Sequence, residues 1–218
     1  MAERFELIVF DWDGTLMDSA GAIVRAMQAS CVDLGLPAPS EDDARYVIGL
    51  GLIDALRHVA PGLPERDYPK ISERYRHHFL SGDRELSLFP GVADTVAWLA
   101  DSGRMLGVAT GKSRVGLDRA LAHSGLAPFF HSTRCADECF SKPHPAMLEE
   151  IMDELGVEPA RTLMVGDTTH DLQMARNAGV AALAVSFGAH PAAALQAESP
   201  LACLDTPAAF AAWLRQHA

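Results

Sequence analysis

The segment LIVFDWDGT, residues 7–15, ends an apolar run with two aspartates, Asp11 and Asp13, two residues apart. Two other apolar runs stop in the same manner. Met105 to Ala109 leads into Thr110, Gly111 and Lys112, and Thr162 to Val165 leads into Gly166 and Asp167, with Asp171 four residues on. Lys142, just before Pro143, opens a helical pattern. Carboxylates brought together repel one another and need neutralising. Hard oxygen donors in this number suit Mg²⁺, which takes one or two carboxylates plus waters and substrate phosphate. Side chains two apart share a face of a strand. A turn at Gly14 would make Asp11 and Asp13 converge on one site from different angles. One carboxylate could then attack phosphorus, forming an aspartyl-phosphate, while the other handles protons. Lys142 and the metal would hold the phosphoryl oxygens, because phosphoryl transfer is mostly positioning and charge stabilisation. Thr110 and the Gly111 amide could donate hydrogen bonds to the same oxygens.

The elements that would carry these groups follow from the pattern. Phe5–Phe10, Met105–Ala109, Thr162–Val165 and Ala181–Val185 read as strands covered on both faces. Residues 130–134 and 201–204 read as shorter edge strands. Helical spacing appears at Val92, Val96 and Leu99, at Leu117 and Leu121, and after Pro145 at Leu148, Ile151, Met152 and Leu155. Leu172, Ala175 and Ala178 mark another helix, and Pro207 to Gln216 a last one. Strands alternating with helices predict a doubly wound parallel α/β sheet, a Rossmann-like core. Ligands of such sheets bind beyond the C-terminal strand ends. Residues 17 to about 85 break the rhythm. They read as helices alone, over about 20–34, 41–48, 50–59 and 66–80, a block too long for a loop. The expected division is an α/β catalytic core of residues 1–16 and 86–218, with a small helical cap of residues 17–85 inserted after the first strand.

Composition narrows the partners. The 218 residues carry 18 basic and 29 acidic side chains, a formal net charge of -11. That balance argues against nucleic acid, whose phosphates require Lys and Arg, and against an anionic membrane surface. The N-terminal apolar stretch is short and breaks at Asp11, unlike a secretory signal. No uncharged run approaches the roughly 18 residues that span a bilayer. Cys31, Cys135, Cys139 and Cys203 form no framework and read as reduced thiols of a cytoplasmic protein. Cys135 and Cys139, near His131 and His144, are likewise read as thiols and not as zinc ligands.

Four segments together, DWDGTLMDS, VATGKS, SKPHP and VGDTTHD, resemble the signature motifs of the haloacid dehalogenase-like hydrolases in order and spacing. The helical insert resembles the cap of the subgroup that includes phosphoglycolate phosphatase and β-phosphoglucomutase. The resemblance implies a Mg²⁺-dependent phosphatase acting on a small phosphorylated metabolite, as a monomer or homodimer. It makes Asp11 the nucleophile and a metal ligand, and Asp13 the general acid/base whose backbone carbonyl also binds the metal. Thr110 and Lys142 would bind the transferring phosphoryl group. Asp167 would be a metal ligand, and Asp171 a ligand or its support. Asp13 sets the chain apart from true dehalogenases and from phosphonate hydrolases. Cap segments of the subgroup face the active site, which makes Arg45 and the IGLGL turn, residues 48–52, candidate substrate contacts.

Several residues carry plainer readings. Asp18 and Ser19 suit a helix N-cap, and Asp171 also suits a helix N-terminus. His170 reads as a solvated or packing neighbour, and His77 and His78 as surface. Lys112 either steers an anion or is exposed, and Met147 and Met152 read as core. Two other functions stay open: a phosphomutase, and a non-enzymatic phosphorylatable receiver-like module. The helical insert and the position of Asp11 on the first strand oppose the receiver.

Overall fold

Leu7–Phe10 form β1, and all four side chains are buried. The other strands are β2 (Met105–Thr110), β3 (Ser132–Cys135), β4 (Thr162–Gly166), β5 (Ala181–Val185) and β6 (Cys203–Leu204). The structure is a computed structural model and describes residues 5–82 and 86–218. Among them one parallel sheet runs in the order β3-β2-β1-β4-β5-β6. The expected core segment 1–4 and the end of the expected cap at 83–85 lie outside the described residues.

The strict alternation of β1 explains its unbroken apolar sequence. Ile8 and Phe10 enter one layer, with Val92, Val96 and Leu99 of α5 (Val92–Asp101), Leu117 of α6 (Arg114–Ser124) and Phe210 and Leu214 of α10 (Pro207–His217). Leu7 and Val9 enter the other. There they meet Met147, Leu148, Ile151 and Met152 of α7 (Ala146–Leu155) and Met174 and Ala175 of α8 (Thr169–Asn177). A strand covered on both faces has no place for a polar residue until it emerges at its end. β1 emerges between β2 and β4, where successive connections leave on opposite sides. That switch point is where the crevice of such a sheet lies.

Four helices follow β1: α1 (Ala20–Asp33), α2 (Glu41–Tyr46), α3 (Leu52–Val59) and α4 (Tyr68–Gly82). They bury Met27, Cys31, Val47, Ala55, Leu56 and Ile71 against one another. Asp33 of α1 accepts from Arg74 Nε at 2.7 Å and lies 2.8 Å from His78 Nε2, tying α1 to α4. The chain enters and leaves this insert side by side: Met17 bridges Leu88, and Phe89 N donates to Leu16 O at 3.0 Å.

Differences from the sequence-based expectation are local. α3 starts at Leu52, two residues late, because the glycine-rich residues ahead of it form a turn. A 3-10 turn over Glu65–Asp67 precedes α4. α9 (Ala192–Ala197) was not anticipated, since its six residues are too few to show a period. No helix among the described residues is long and apolar enough to cross a membrane.

The insert has its own apolar cluster, so it should yield before the sheet does. Ile71→Ala, at a fully buried position, is expected to cost about 2–5 kcal/mol. Hydrogen exchange should show the loss in α1–α4, with the amides of β1 and β4 still protected. Equal loss in both would mean one cooperative unit.

Candidate active site

Pairing continues one residue past β1, with Asp11 N donating to Val165 O at 2.9 Å. The chain then turns sharply: Leu16 N and Met17 N both donate to Trp12 O at 3.0 Å, and Gly14 N donates to Met17 O at 2.9 Å. Trp12 goes into the core against Phe130, which leaves Asp11 and Asp13 on the crevice side. Gly14 has φ +82, and a Cβ there would collide with Asp167 Oδ2. The turn therefore needs glycine twice, for its left-handed backbone and for the close approach of a carboxylate.

Asp167 leaves β4 beside Asp11. Its Oδ1 accepts from Thr15 Oγ1 at 2.6 Å and its Oδ2 from Ala189 N at 2.7 Å. Asp171 does two things. Its Oδ2 closes a capping box on α8, accepting from Thr168 N at 3.0 Å and Thr168 Oγ1 at 2.7 Å. Its Oδ1 faces Lys142 Nζ at 2.7 Å. Lys142 Nζ is also 2.9 Å from Asp11 Oδ1. The loop carrying Lys142 is anchored where Ser141 Oγ accepts from Gly51 N at 2.9 Å and Pro143 O accepts from Asn177 Nδ2 at 2.9 Å.

Asp11, Asp167 and Asp171 can each offer an oxygen within 4.8 Å of the others, and all three are fully buried. One buried ammonium faces three buried carboxylates. Burial, opposed by Lys142 and reinforced by Asp171, pushes the Asp11 carboxyl up to about 7. Burial and then the charges of Asp11 and Asp171 hold Asp167 well above the usual carboxylate range. Burial works against the Lys142 ammonium, yet Asp11 and Asp171 outweigh it and raise its pKa. Asp11 Oδ2 is buried with no hydrogen-bond donor among the described residues. An all-oxygen donor set, a carboxylate oxygen without a partner and an excess of buried negative charge fit a hard divalent cation.

Asp13 belongs to a second charge group. Its Oδ1 accepts from Ser19 Oγ at 2.6 Å, and Lys112 Nζ lies 2.9 Å from both its oxygens. Ser19 does occupy the N-cap position of α1, but its side chain makes no cap bond; its hydroxyl donates instead to the stronger carboxylate acceptor, Asp13. Lys112 turns inward to Asp13 and is not exposed. Thr110 is buried at the end of β2, where its Oγ1 accepts from Lys112 N at 3.3 Å.

The insert closes over these groups through its glycine turn. A Cβ on Gly111 would run into the carbonyl groups of Gly49 and Leu50. One on Gly49, φ +89, would lie 3.2 Å from Thr168 Oγ1 and 3.7 Å from Asp11 Oδ2. Tyr46 O, at the end of α2, accepts from His170 Nε2 at 2.7 Å and His190 Nε2 at 3.0 Å. Burial lowers the pKa of both histidines, which keeps them neutral donors. His170 is thus a buried packing residue and not a solvated one. His77 is exposed, and His78 pairs with Asp33.

Seven of the eight expected site residues lie in these two groups or at their edge. Arg45 contacts none of them, its Nε pairing at 2.9 Å with Glu41 Oε1 one turn earlier on α2. Reading the sequence did not single out Thr15, Thr168, Gly188 or His190, and gave Ser19 only the role of a helix cap. Thr15 and Thr168 act by holding Asp167 and Asp171, Gly188 by making room beside Asp167, and His190 by holding Tyr46, so none shows chemistry of its own. Thr15 follows Gly14 within the first motif, and the SFGAH stretch after β5 sits at a strand end; these were the available signals.

Comparison with known proteins agrees with this geometry. Residues 8–185 match the family model described as haloacid dehalogenase-like hydrolase. A probable phosphatase IndB of Dickeya dadantii is 36% identical over 206 residues, covering 92% of this chain and 89% of its own. A phosphoglycolate phosphatase of Agrobacterium fabrum is 32% identical, covering 84% of this chain and 81% of its own. Among solved structures, a haloacid dehalogenase-like family hydrolase of Streptococcus pneumoniae superposes with a TM-score of 0.82 at 25% identity, over 97% of this chain and 99% of the other. A hydrolase of Pseudomonas syringae shares the fold with a TM-score of 0.88 at 18% identity, over 97% and 98%. With Asp11, Lys142 and Asp167 joined at the switch point and the family model spanning most of the sequence, the chain belongs to the haloacid dehalogenase-like hydrolases.

Proposed function

We propose that the protein is a Mg²⁺-dependent phosphatase that hydrolyses a small phosphorylated metabolite through an aspartyl-phosphate on Asp11. The observation that carries this reading is the buried, unpartnered Oδ2 of Asp11 beside the Lys142 ammonium. A carboxylate oxygen with no donor is a free nucleophile, and the neighbouring cation attracts a phosphoryl group. Relatives named phosphatase and phosphoglycolate phosphatase support the class, and they make phosphoglycolate the first substrate to assay.

In the first half, an Asp11 oxygen bonds to phosphorus as the bond to the leaving oxygen breaks. The electron pair stays on that oxygen, which takes a proton from Asp13 and departs as an alcohol. In the second half, water attacks phosphorus and gives a proton to Asp13. The bond from phosphorus to Asp11 breaks, its electron pair returns to the carboxylate, and phosphate leaves. Lys142, Thr110 and the Gly111 amide hold the phosphoryl oxygens through both halves. Asp11, Asp167, the Asp13 carbonyl and, directly or as support, Asp171 would hold Mg²⁺, which offsets the charge of the phosphoryl group and of the carboxylates. The helices of residues 17–85 act as a cap. Their Gly49–Gly51 turn covers Asp11 and excludes bulk water, and opening readmits the water of the second half.

Asp11→Asn should leave the circular dichroism spectrum intact and remove phosphate release entirely; turnover by that variant would eliminate Asp11 as nucleophile. EDTA should stop wild-type turnover, and excess Mg²⁺ should restore it. Stability offers an independent readout. Asp11 ordinarily ionises at 3.8 and here near 7, so without metal the folded chain holds a proton that the unfolded chain releases between those values. The Asp11 contribution to stability is then full below pH 3.8 and lost as pH rises through about 7. Asp167, raised for the same first reason, acts in the same direction. In EDTA, Tm is expected to fall as pH rises from about 4 to about 7, and Mg²⁺ should flatten the slope. A metal-induced rise in Tm that does not grow with pH would place the cation away from these carboxylates.

A further inference from the structure

Lys112 has no part in the scheme above, yet it is fastened on three sides. Its side chain is 12% exposed and that of Asp13 10%. The ammonium donates to both oxygens of Asp13, at 2.9 Å each, while Ser19 Oγ donates to Oδ1 at 2.6 Å. It also sits 4.9 Å from the ring centroid of Phe79 on α4, within cation–π range. Phe79 stacks on Tyr75, one turn earlier on the same helix. Lys112 thus joins the end of β2, the proton-transfer carboxylate and the insert.

A carboxylate has about four lone-pair positions. Ser19 and Lys112 fill two on Oδ1, and Lys112 fills one on Oδ2. A single position on Oδ2 is left. Without these donors the carboxyl would turn freely, because a terminal torsion of this kind is broad. With them it presents one oxygen in one direction.

We infer that Lys112, with Ser19, is a positioning residue for the second half of the reaction, setting Asp13 Oδ2 to receive the proton of the attacking water. The step balances as before: the water oxygen bonds to phosphorus, its proton goes to Oδ2, and the phosphorus–Asp11 bond breaks with its electron pair returning to Asp11. The seat on Phe79 means that this setting holds while α4 is closed on the core. The inference rests on the phosphatase reading, and the experiment separates the two.

The test uses the full chain with Mg²⁺ and p-nitrophenyl phosphate, whose leaving group departs without needing a proton. Lys112→Met keeps the length of the side chain and removes its donors. It should release one equivalent of p-nitrophenolate per protein in a burst and then turn over about 100-fold more slowly than wild type. Mass spectrometry of the quenched variant should find the chain heavier by one phosphoryl group. Lys112→Arg, which restores a donor, should recover part of the slow phase. Slow turnover with no burst and no adduct would overturn the inference, as would a raised KM with kcat intact. Should Lys112→Met fail to fold by circular dichroism, Ser19→Ala tests the same carboxylate from its other side, with the same burst expected and its absence equally fatal. A wild-type protein that neither hydrolyses the ester nor takes up a phosphoryl group would remove the phosphatase reading itself, and this inference with it.

Discussion

An imbalance of buried charge governs this molecule. Three carboxylates, Asp11, Asp167 and Asp171, share one buried site with the ammonium of Lys142. Like charges in a low-dielectric interior oppose folding, and each must be met by donors or by a proton. The surroundings of the pocket answer that need. Thr15 Oγ1 and the Ala189 amide donate to Asp167, and Thr168 donates twice to Asp171. Among the described residues Asp11 has Lys142 alone, and one of its oxygens has no donor. The residual charge is concentrated on Asp11, at the C-terminal end of β1.

The same constraint explains the glycines. Carboxylates can be packed this closely only where the backbone around them carries no side chain. Gly14 and Gly188 both lie against Asp167, and Gly111 lets the insert bring its own backbone down on the end of β2. A Cβ at any of them would force the carboxylates or the insert apart. Packing thus does what sequence periodicity cannot display, since it sets distances between segments that lie far apart in the chain, as Gly14 and Asp167 do.

Two lysines divide the work. Lys142 is wholly buried between Asp11 and Asp171, whereas Lys112 stands at the mouth, shared by Asp13 and the ring of Phe79. Asp11 and Asp13 are therefore served by separate cations despite lying two residues apart in the chain. The insert is held by groups that carry no charge at neutral pH. His170 and His190 donate to one carbonyl, that of Tyr46, and burial keeps both neutral. Such a clasp closes the turn over Asp11 without adding another charge to the pocket.

Period and punctuation in the sequence determined the parallel sheet, its covered strands and the helical block between β1 and β2, because buried strands must read as apolar runs and end where the chain meets the crevice. Asp11, Asp13, Thr110, Lys142 and Asp167 were legible for the same reason: each is polar where a strand or a helical pattern begins or ends. Tertiary structure alone decided their partners. Ser19 suited a helix cap by its position and turned instead to Asp13, the stronger acceptor once the chain had bent at Gly14. Arg45 suited a substrate contact and found Glu41 one helical turn away. Lys112 was ambiguous until β2, the first turn and α4 met around it. A residue type states what a side chain can bind, but which partner it binds depends on distances that the packing of the whole chain creates.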